Sequence, residues 1–326
     1  MNTPPREIGE AQIRRALRQW WGFAAVSLEY CAVGFGSHHW LATDVAGNRR
    51  FVTVYDLTPD DEEDDTDADF EELERAFSAA ALLRDRAGLR FVVAPLASEA
   101  GAVLHRLGRH FSIALFPFVE GSSSPFGEHP SAEARAAVLA LLVELHAASA
   151  HVVDVAGSED FALLSRRSLE RALSDLGRPW KGGPYAEPAR RLLHEHEASV
   201  KRRLERYDTL RGGVAAERAR WVVTHGEPHA ANVIWCAEGP LLVDWDTLLV
   251  GPPERDLWMV LGADGSERGT YEAATGTTIE PDVLELYRLW WDLSEIGTYV
   301  GEFRRPHEED ADTAVAWRGL QESAAR

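Results

Sequence analysis

Hydrophobic positions in the first third of the chain change from helical to strand-like spacing and back. Apolar residues at helical intervals over residues 7–21, closed by Gly22, predict a first helix, and a second is predicted over residues 69–85 with Asp69 as its N-cap. Between and after them, strands are predicted at residues 27–33, 38–45, 50–57, 91–95, 103–107 and 111–117. Together these segments predict a mostly antiparallel sheet with two helices.

The pattern changes after this sheet. Residues 116–125 are rich in Pro, Gly and Ser, which is typical of a linker, and the acidic run at residues 60–67 is predicted to be a loop. Beyond the linker the spacing is mainly helical, over residues 132–150, 161–176, 188–210 and 282–304. The fold class is therefore α+β, with a small lobe at residues 1–118 and a large, mainly helical lobe at residues 119–326.

The stretch from Trp221 to Thr247 combines buried strands with polar residues. It is interpreted as a strand, a polar loop, a second strand, a turn at residues 238–240 and a third strand that ends in Asp244. His225, Glu227 and Asn232 have the spacing of the catalytic loop of phosphoryl-transfer enzymes, and Asp244 follows where a metal-binding aspartate is kept. The alternative is a surface turn followed by an ordinary strand.

The chemistry of phosphoryl transfer explains this set of residues, because the protein mainly positions charge. Glu227 is predicted to orient an acceptor hydroxyl and to take its proton. Asn232 and Asp244 are predicted to hold Mg²⁺, a hard ion that prefers oxygen ligands. His225 belongs to the catalytic set as a buried hydrogen-bonding brace of the loop.

Three segments resemble the aminoglycoside phosphotransferase and choline kinase family: His-Gly-Glu-Pro-His-Ala-Ala-Asn from His225, Val-Asp-Trp-Asp from Val243, and Gly-Pro-Pro-Glu-Arg-Asp-Leu-Trp from Gly251. The resemblance implies a bilobal protein-kinase-like fold, ATP or GTP as co-substrate, and Mg²⁺. It also implies that the first hairpin covers the nucleotide phosphates and that the linker receives the adenine edge. The implied nucleotide-binding residues are Gly34, Gly36, Ser37, Thr53, Phe116 and Phe118.

The sequence departs from the family pattern at two positions. Glu227 stands where aspartate is usual and adds one methylene of reach. Thr53 stands where the third strand usually carries a phosphate-contacting lysine, and the chain has only two lysines, Lys181 and Lys201. The positive charge for the phosphates is then expected from the metal or from one of four residues, which are Arg49, Arg50, His38 and His39.

Residues beside these motifs are given supporting roles. His146 is interpreted as a packed histidine and Asp256 as a brace of the loop, while Asp246 is either a second metal ligand or a turn cap. Only twelve positions separate Asp244 from Asp256. That interval is too short for a protein-kinase activation segment, so a peptide substrate is disfavoured.

The acceptor site is expected on the acidic helix at residues 282–304. By the resemblance, Asp292 and Glu295 pair with ammonium groups and Trp291 adds cation–π surface. The alternative is an ordinary amphipathic helix with a solvated acidic face. The leading function is transfer of phosphate to a hydroxyl of a cationic antibiotic such as an aminoglycoside, with a role in antibiotic resistance or biosynthesis. The alternatives are a kinase-like binding protein and a metabolic small-alcohol kinase.

The amino-acid composition limits the classes of binding partner and the compartment that are expected for this chain. The net charge of -19 disfavours nucleic acid and anionic membranes, and it suits a cationic small molecule. The two cysteines, Cys31 and Cys236, are far apart and are expected to be reduced, which predicts a cytoplasmic protein. There is no apolar run before Arg6 and no segment of membrane-spanning length. The chain is expected to be a monomer or a homodimer.

Overall fold

The computed structural model describes residues 1–5, 7–34, 36–58, 66–127, 129–214, 218–262 and 265–326. In these ranges the helices are α1 Glu10–Trp21, α2 Thr66–Asp85, α3 Ala132–Ala147, α4 Arg166–Ser174, α5 Ala186–Val214, α6 Glu254–Leu257, α7 Ser266–Thr275, α8 Pro281–Arg304 and α9 Ala311–Ala325. The strands are β1 Ala25–Cys31, β2 Ser37–Asp44, β3 Arg49–Asp56, β4 His105–Arg106, β5 Phe111–Pro117, β6 Gly157–Ser158, β7 Val222–Thr224, β8 Val233–Cys236, β9 Gly239–Leu242 and β10 Leu249–Gly251. The predicted α+β class is confirmed.

The larger sheet is antiparallel and has the strand order β1-β2-β3-β5-β4. Side chains alternate between its two faces, as the period of a strand requires. On one face Val52 and Val54 join the core cluster that contains Ile13 and Leu17 of α1. On the other face the ring of Tyr55 lies 5.6 Å from the ring of Phe77 on α2. Thr53 lies on this second face of the central strand.

Two predicted elements are wrong, each for a tertiary reason. Residues 91–95 do not join the larger sheet, because Val93 N–H donates to the Leu242 carbonyl and Leu242 N–H donates to the Phe91 carbonyl. This segment therefore packs beside β9 with only a single bridge, from Val92 to Leu242. The helix predicted at residues 161–176 begins only at Arg166, because Phe161 and Ser165 have positive φ values of 57° and 54°.

The second helix also begins earlier than predicted. It starts at Thr66 rather than after Asp69, with Asp67 and Asp69 in the first turn, where carboxylates favour the positive helix end. Residues 60–65 of the acidic run predicted as a loop lie outside the described residues, as does Phe35 of the glycine-bearing hairpin.

The chain forms two compact units, one of residues 1–158 with 220–278 and one of residues 159–219 with 279–326. The first unit contains the larger sheet, a three-stranded sheet and the hairpin β8-β9. In the three-stranded sheet β10 lies between β6, to which it is parallel, and β7, to which it is antiparallel. The division at residue 118 assigns nucleotide binding to the small lobe and catalysis and acceptor binding to the large lobe. It stays a prediction.

The second unit consists mainly of the helices α4, α5, α8 and α9. Gly297 of α8 allows the start of α4 to approach closely, because a Cβ at this position would lie 2.8 Å from the carbonyl oxygen of Ser165, the N-cap of α4. The guanidinium of Arg206 on α5 pairs with Glu285 of α8 at 2.6 Å. Within the residues that the structure describes, no helix is both long and apolar enough to cross a membrane.

Candidate active site

The polar loop of the first unit runs from the end of β7 to the start of β8. Residues 225–229 are irregular, and a single 3-10 turn, Ala230–Asn232, leads into β8. The fully buried Trp245 closes the far side, with its indole N–H donating to the Leu242 carbonyl at 2.9 Å and its ring 4.5 Å from the ring of His225. The loop is thus anchored by strands at both ends and by an aromatic contact.

The His225 ring connects the polar loop to the segment that follows β9. Its Nε2 lies 2.9 Å from the Val243 carbonyl and its Nδ1 accepts from Glu227 N–H at 3.2 Å. These partners assign the proton to Nε2. The side chain is fully buried, and burial lowers the pKa of His225 to about 4, so the ring is neutral at pH 7. A neutral imidazole with both nitrogens engaged orients the backbone of Glu227.

The Asp256 carboxylate holds the same loop through its backbone N–H groups. Its Oδ2 accepts from His225 N–H at 3.0 Å and its Oδ1 accepts from Gly226 N–H at 2.6 Å. His146 contacts the same carboxylate at 3.0 Å and Tyr271 at 2.6 Å. Burial by itself would raise the pKa of Asp256, but the hydrogen bond from His146 and nearby positive charge bring it below its ordinary value. Asp256 is therefore an ionised, fully buried brace.

Gly226 is required by close packing. Its φ is +100°, and a Cβ there would meet the guanidinium of Arg255 and lie 2.6 Å from Thr247 Oγ1. Arg255 donates to Thr224 Oγ1 at 3.0 Å and to the Thr247 carbonyl at 2.9 Å, while Thr247 Oγ1 donates to the His225 carbonyl at 2.8 Å. Only glycine leaves room for this hydrogen-bonded set.

Asn232 is tied directly to the predicted base. Its Nδ2 donates to the Glu227 carbonyl at 3.0 Å and lies 3.3 Å from His229 Nε2, so the amide oxygen points the other way. The Glu227 carboxylate lies 3.6 Å from His229 Nε2, and its side chain is 29% exposed. The predicted base therefore reaches solvent while its backbone is fixed.

Asp244 and Asp246 complete a group of carboxylates. Asp244 touches solvent, but many protein atoms surround it and it is only partly hydrated. Poor hydration, and then the charge of Glu227, raise the pKa of Asp244 to about 6. Burial and the charges of Asp244 and Glu227 raise the pKa of Asp246. Asp244 also has φ +67°, an uncommon conformation for a residue other than glycine and one often found at functional sites.

The donor set fits Mg²⁺. Like charges with raised pKa values are the arrangement that a divalent cation relieves, and the Asn232 amide adds a hard oxygen donor. Among the described residues no cluster of three His, Cys, Asp or Glu side chains forms a metal cage. Mg²⁺ needs none, because it keeps several waters and binds substrate phosphates beside one or two carboxylates.

The predicted nucleotide-binding residues of the sheet lie close to one another. Thr53 pairs with His39 across β2 and β3, its Oγ1 lies 3.2 Å from His39 Nδ1, and His39 Nε2 lies 3.1 Å from Ser37 Oγ. A Cβ built on Gly34 would lie 3.3 Å from His39 Nε2, so the hairpin lies against this histidine, while Gly36 has open space around it. Tyr55, two residues after Thr53, feels the charges of Asp246 and Asp244.

The linker carries the remaining nucleotide candidates. The buried Phe116 lies on β5, with its ring 5.6 Å from the ring of Phe77. Phe118 lies under the guanidinium of Arg49 at 3.7 Å, and Arg49 pairs with Glu120 at 3.2 Å. Phe118 is therefore engaged with the protein, and its role toward a nucleotide stays a prediction.

The predicted acceptor residues lie in the second unit, on α8. The Asp292 carboxylate is contacted by Arg326 at 2.8 Å and by Arg203 at 3.7 Å. Glu295 accepts from the Tyr299 hydroxyl at 2.6 Å, and Trp291 is half-buried. Both acids already have protein partners, and their role toward an acceptor stays a prediction.

Sequence reasoning missed several residues of the site. Arg255 and Thr247 were not singled out, although they lie inside or beside the quoted motifs. His229 and Tyr55 were also missed. The available signals were the position of His229 two residues after Glu227, and the position of Tyr55 on the same strand face as Thr53.

Comparisons with known proteins find relatives in sequence and in fold. Protein StrN of Streptomyces griseus is 32% identical over 249 residues, 73% of this chain and 73% of StrN. A spectinomycin phosphotransferase structure, in complex with ADP and spectinomycin, has a TM-score of 0.74 at 17% identity and covers 97% of this chain and 95% of that chain. Choline kinase LicA from Streptococcus pneumoniae has a TM-score of 0.55 at 14% identity, with 98% of each chain covered.

These structures confirm the predicted kinase-like fold. The model of the phosphotransferase enzyme family matches residues 29–288, which include most of the larger sheet, the polar loop and the first eight residues of α8. Because this match covers most of the chain, the chain belongs to the phosphotransferase enzyme family.

Proposed function

We propose that this phosphotransferase moves the γ-phosphate of ATP or GTP to an alcohol group of a cationic small molecule. The observation that carries the proposal is the proximity of Glu227, Asn232 and Asp244. The Asn232 amide donates to the Glu227 carbonyl at 3.0 Å, and poor hydration and then the nearby charge of Glu227 raise the pKa of Asp244. We assign these residues the roles of base, amide oxygen donor and second carboxylate, because phosphoryl transfer requires such groups to be positioned together.

In the proposed step Glu227 accepts the proton of the acceptor hydroxyl as its oxygen bonds to the γ-phosphorus. The bond from that phosphorus to the β,γ-bridging oxygen breaks, and the nucleoside diphosphate leaves. Neutral His225 holds the Glu227 backbone during this exchange, and ionised Asp256 holds the loop. Glu227 returns its proton to solvent, which its 29% exposed side chain can reach.

Asn232 and Asp244 are the residues that would hold Mg²⁺, with Asp246 next to them. When bound, the ion supplies positive charge to the phosphate oxygens. Asp244 is the residue whose protonation matters for this role, because its pKa of about 6 lies close to neutral pH. Metal affinity is therefore expected to fall as the pH drops below about 6.

The proposed acceptor class rests on charge and on the fold. The chain has 53 acidic and 34 basic residues, so its field attracts cations. The similarly folded phosphotransferase was crystallised with spectinomycin. Spectinomycin and aminoglycosides are therefore the first compounds for an acceptor panel, with choline and homoserine as representatives of small amino alcohols.

The test is Glu227→Gln. We expect turnover to fall by roughly a hundred- to ten-thousandfold, because the amide cannot take the hydroxyl proton, while the melting temperature changes little. Glu238→Gln is the matched control, since Glu238 is exposed in the turn between β8 and β9. ADP release and acceptor phosphorylation by ³¹P NMR are the measurements. Full activity in Glu227→Gln would exclude this residue as the base.

A kinase-like binding protein is the second candidate, and Thr53 in the position of a lysine favours it. The same preparation separates the two functions. Stabilisation of the wild-type protein by ATP with Mg²⁺ in a thermal-shift titration, without ADP release for any acceptor of the panel, supports the binding protein. Stabilisation with turnover supports the enzyme.

A further inference from the structure

A buried hydrogen-bonded set lies on β2 and β3 beside the glycine-bearing hairpin. It consists of Ser37, His39 and Thr53, which are 7%, 9% and 3% exposed. The imidazole lies in the middle, with Nε2 3.1 Å from Ser37 Oγ and Nδ1 3.2 Å from Thr53 Oγ1. The hairpin lies next to Nε2, since a Cβ on Gly34 would be 3.3 Å from that atom. In protein kinases a glycine-rich hairpin of the small sheet covers the nucleotide phosphates, and the set lies beside the glycine-bearing hairpin of this chain.

The other candidate cations of this sheet are engaged elsewhere. Arg49 pairs with Glu120 at 3.2 Å and stacks on Phe118. Arg50 donates to the Arg49 carbonyl and lies 5.8 Å above the ring of Phe23. His38 points to the opposite face of the sheet, where its Nδ1 lies 3.1 Å from the Tyr30 hydroxyl. His39 is the member of this group of four whose side chain is hydrogen-bonded to Thr53.

We propose that His39, held between Ser37 and Thr53, takes up a proton from solvent when the nucleoside triphosphate binds and supplies the positive charge that a lysine supplies in other kinases. The inference rests on the proposed function. An opposite charge within about 4–6 Å favours the charged form of a titratable group, and a triphosphate brings several negative charges.

The hydroxyls on either side make this change possible without moving heavy atoms. Around a neutral ring one hydroxyl donates and the other accepts. Around an imidazolium both ring nitrogens donate, so both hydroxyls accept by rotating. The hydrogens of Ser37 and Thr53 are then free to donate to phosphate oxygens. Protonation of the ring therefore adds a positive charge and frees one further hydroxyl hydrogen, so that both hydroxyls can donate to phosphate.

The groups around His39 keep the ring neutral before the nucleotide arrives. From its own strand it is near His38 and Ser37, from β3 it meets Thr53 and the ring of Phe51 at 5.1 Å, and from the hairpin it meets Gly34. The N-terminal ammonium of Met1, which donates to the Gly34 carbonyl at 2.7 Å, adds like charge. Burial, the ammonium and then His38 lower the pKa of His39 to about 4.

The first experiment needs no variant. Calorimetric titration of the wild-type protein with ATP and Mg²⁺ at pH 7, in two buffers that differ in ionisation enthalpy, measures the protons taken up. We expect about half to one proton per nucleotide, because the pKa of the ring rises from about 4 toward or above the working pH. Nucleotide binding without proton uptake would overturn the inference and leave the proposed function intact.

The second experiment assigns the proton to His39. In His39→Gln we expect ATP to bind roughly ten- to a hundredfold more weakly and the uptake to vanish, since a charge-assisted hydrogen bond is lost. His38→Gln is the matched control and should retain both affinity and uptake. Adding Thr53→Lys to His39→Gln should restore affinity without uptake, which a purely structural role of His39 does not predict.

The outcomes separate the two claims. Uptake that persists in His39→Gln, or affinity unchanged in that variant, contradicts the role of His39 alone. A wild-type protein that neither binds ATP nor transfers phosphate to any acceptor contradicts the proposed function, and the inference with it.

Discussion

At the scale of single residues, the site is defined by carboxylates in unfavourable surroundings. Asp244 has a raised pKa and a left-handed backbone, and Asp246 and Glu227 add like charge beside it. Such an arrangement lowers the stability of the folded chain at neutral pH, and it is useful because a cation relieves it.

This predicts that Asp244→Asn stabilises the metal-free protein. The pKa of Asp244 is about 6 in the folded chain against 3.8 for an unperturbed group, so the folded state binds more protons between these values and loses stability as the pH rises through them. Asparagine also tolerates a positive φ. Above pH 6 we expect the melting temperature of the variant to exceed that of the wild type by roughly 1–4 °C, a small value because solvent screens an exposed group.

The control for this prediction is the pH itself, because the two proteins should melt at similar temperatures near pH 4. A second check is Mg²⁺, which should stabilise the wild type and not the variant. A variant that is less stable than the wild type at pH 7 would contradict the idea that Asp244 is an unfavourably placed charge.

At the scale of elements, the polar loop between β7 and β8 is held by groups that come from α3 and α6. Asp256 and Arg255 lie about thirty residues after the loop in the sequence. Asp256 accepts hydrogen bonds from two backbone N–H groups, and Arg255 donates to one threonine hydroxyl and one carbonyl. His146 of α3 supports Asp256 from the other side. Because several backbone groups of this irregular loop are hydrogen-bonded to buried partners, we expect the loop to be rigid.

Gly226→Ala tests this rigidity. Gly226 and Gly239 both have positive φ, +100° and +119°, but only at Gly226 would a Cβ meet other atoms. Gly239→Ala should therefore cost only the backbone penalty, about 1–2 kcal/mol. Gly226→Ala should cost about 1–3 kcal/mol more, because Arg255 and Thr247 must move. Denaturant unfolding measures both, and equal losses would show that the packing around Gly226 yields easily.

At the scale of the whole molecule, charge is the dominant feature. The chain has 53 acidic and 34 basic residues, so ion pairs such as those of Arg206 with Glu285 and of Arg326 with Asp292 leave the net charge of -19 unchanged. Such a field raises the local concentration of cations and speeds their association, and salt screens it with a Debye length of about 10 Å at 0.1 M.

A cationic acceptor should therefore show salt-dependent kinetics. Between about 20 mM and 300 mM NaCl we expect kcat/KM for such an acceptor to fall several-fold, because screening removes the long-range attraction. The N-acetylated form of the same compound, which lacks the ammonium charge, is the matched control and should change little. Equal salt dependence of the two forms would indicate that the acceptor charge is not recognised.

Several features of the fold and the site could be predicted from the sequence. The spacing of His225, Glu227 and Asn232 between two strands predicted the loop, and Asp244 was predicted at the end of the next strand. The brace role predicted for Asp256 agrees with its hydrogen bonds. These features are local, since a few residues of backbone connect them and the period of a strand orients them.

The tertiary structure alone decided the contacts between distant segments. It placed residues 91–95 beside β9 instead of in the larger sheet, joined His39 to Thr53 and Ser37, and paired Asp292 with Arg203 and Arg326. Local periodicity shows that a segment has a buried face, but it does not show which distant segment covers that face. The sequence therefore determined the family, the order of the elements and the chemical groups of the loop, while packing determined which of those groups are neutralised, braced or left charged.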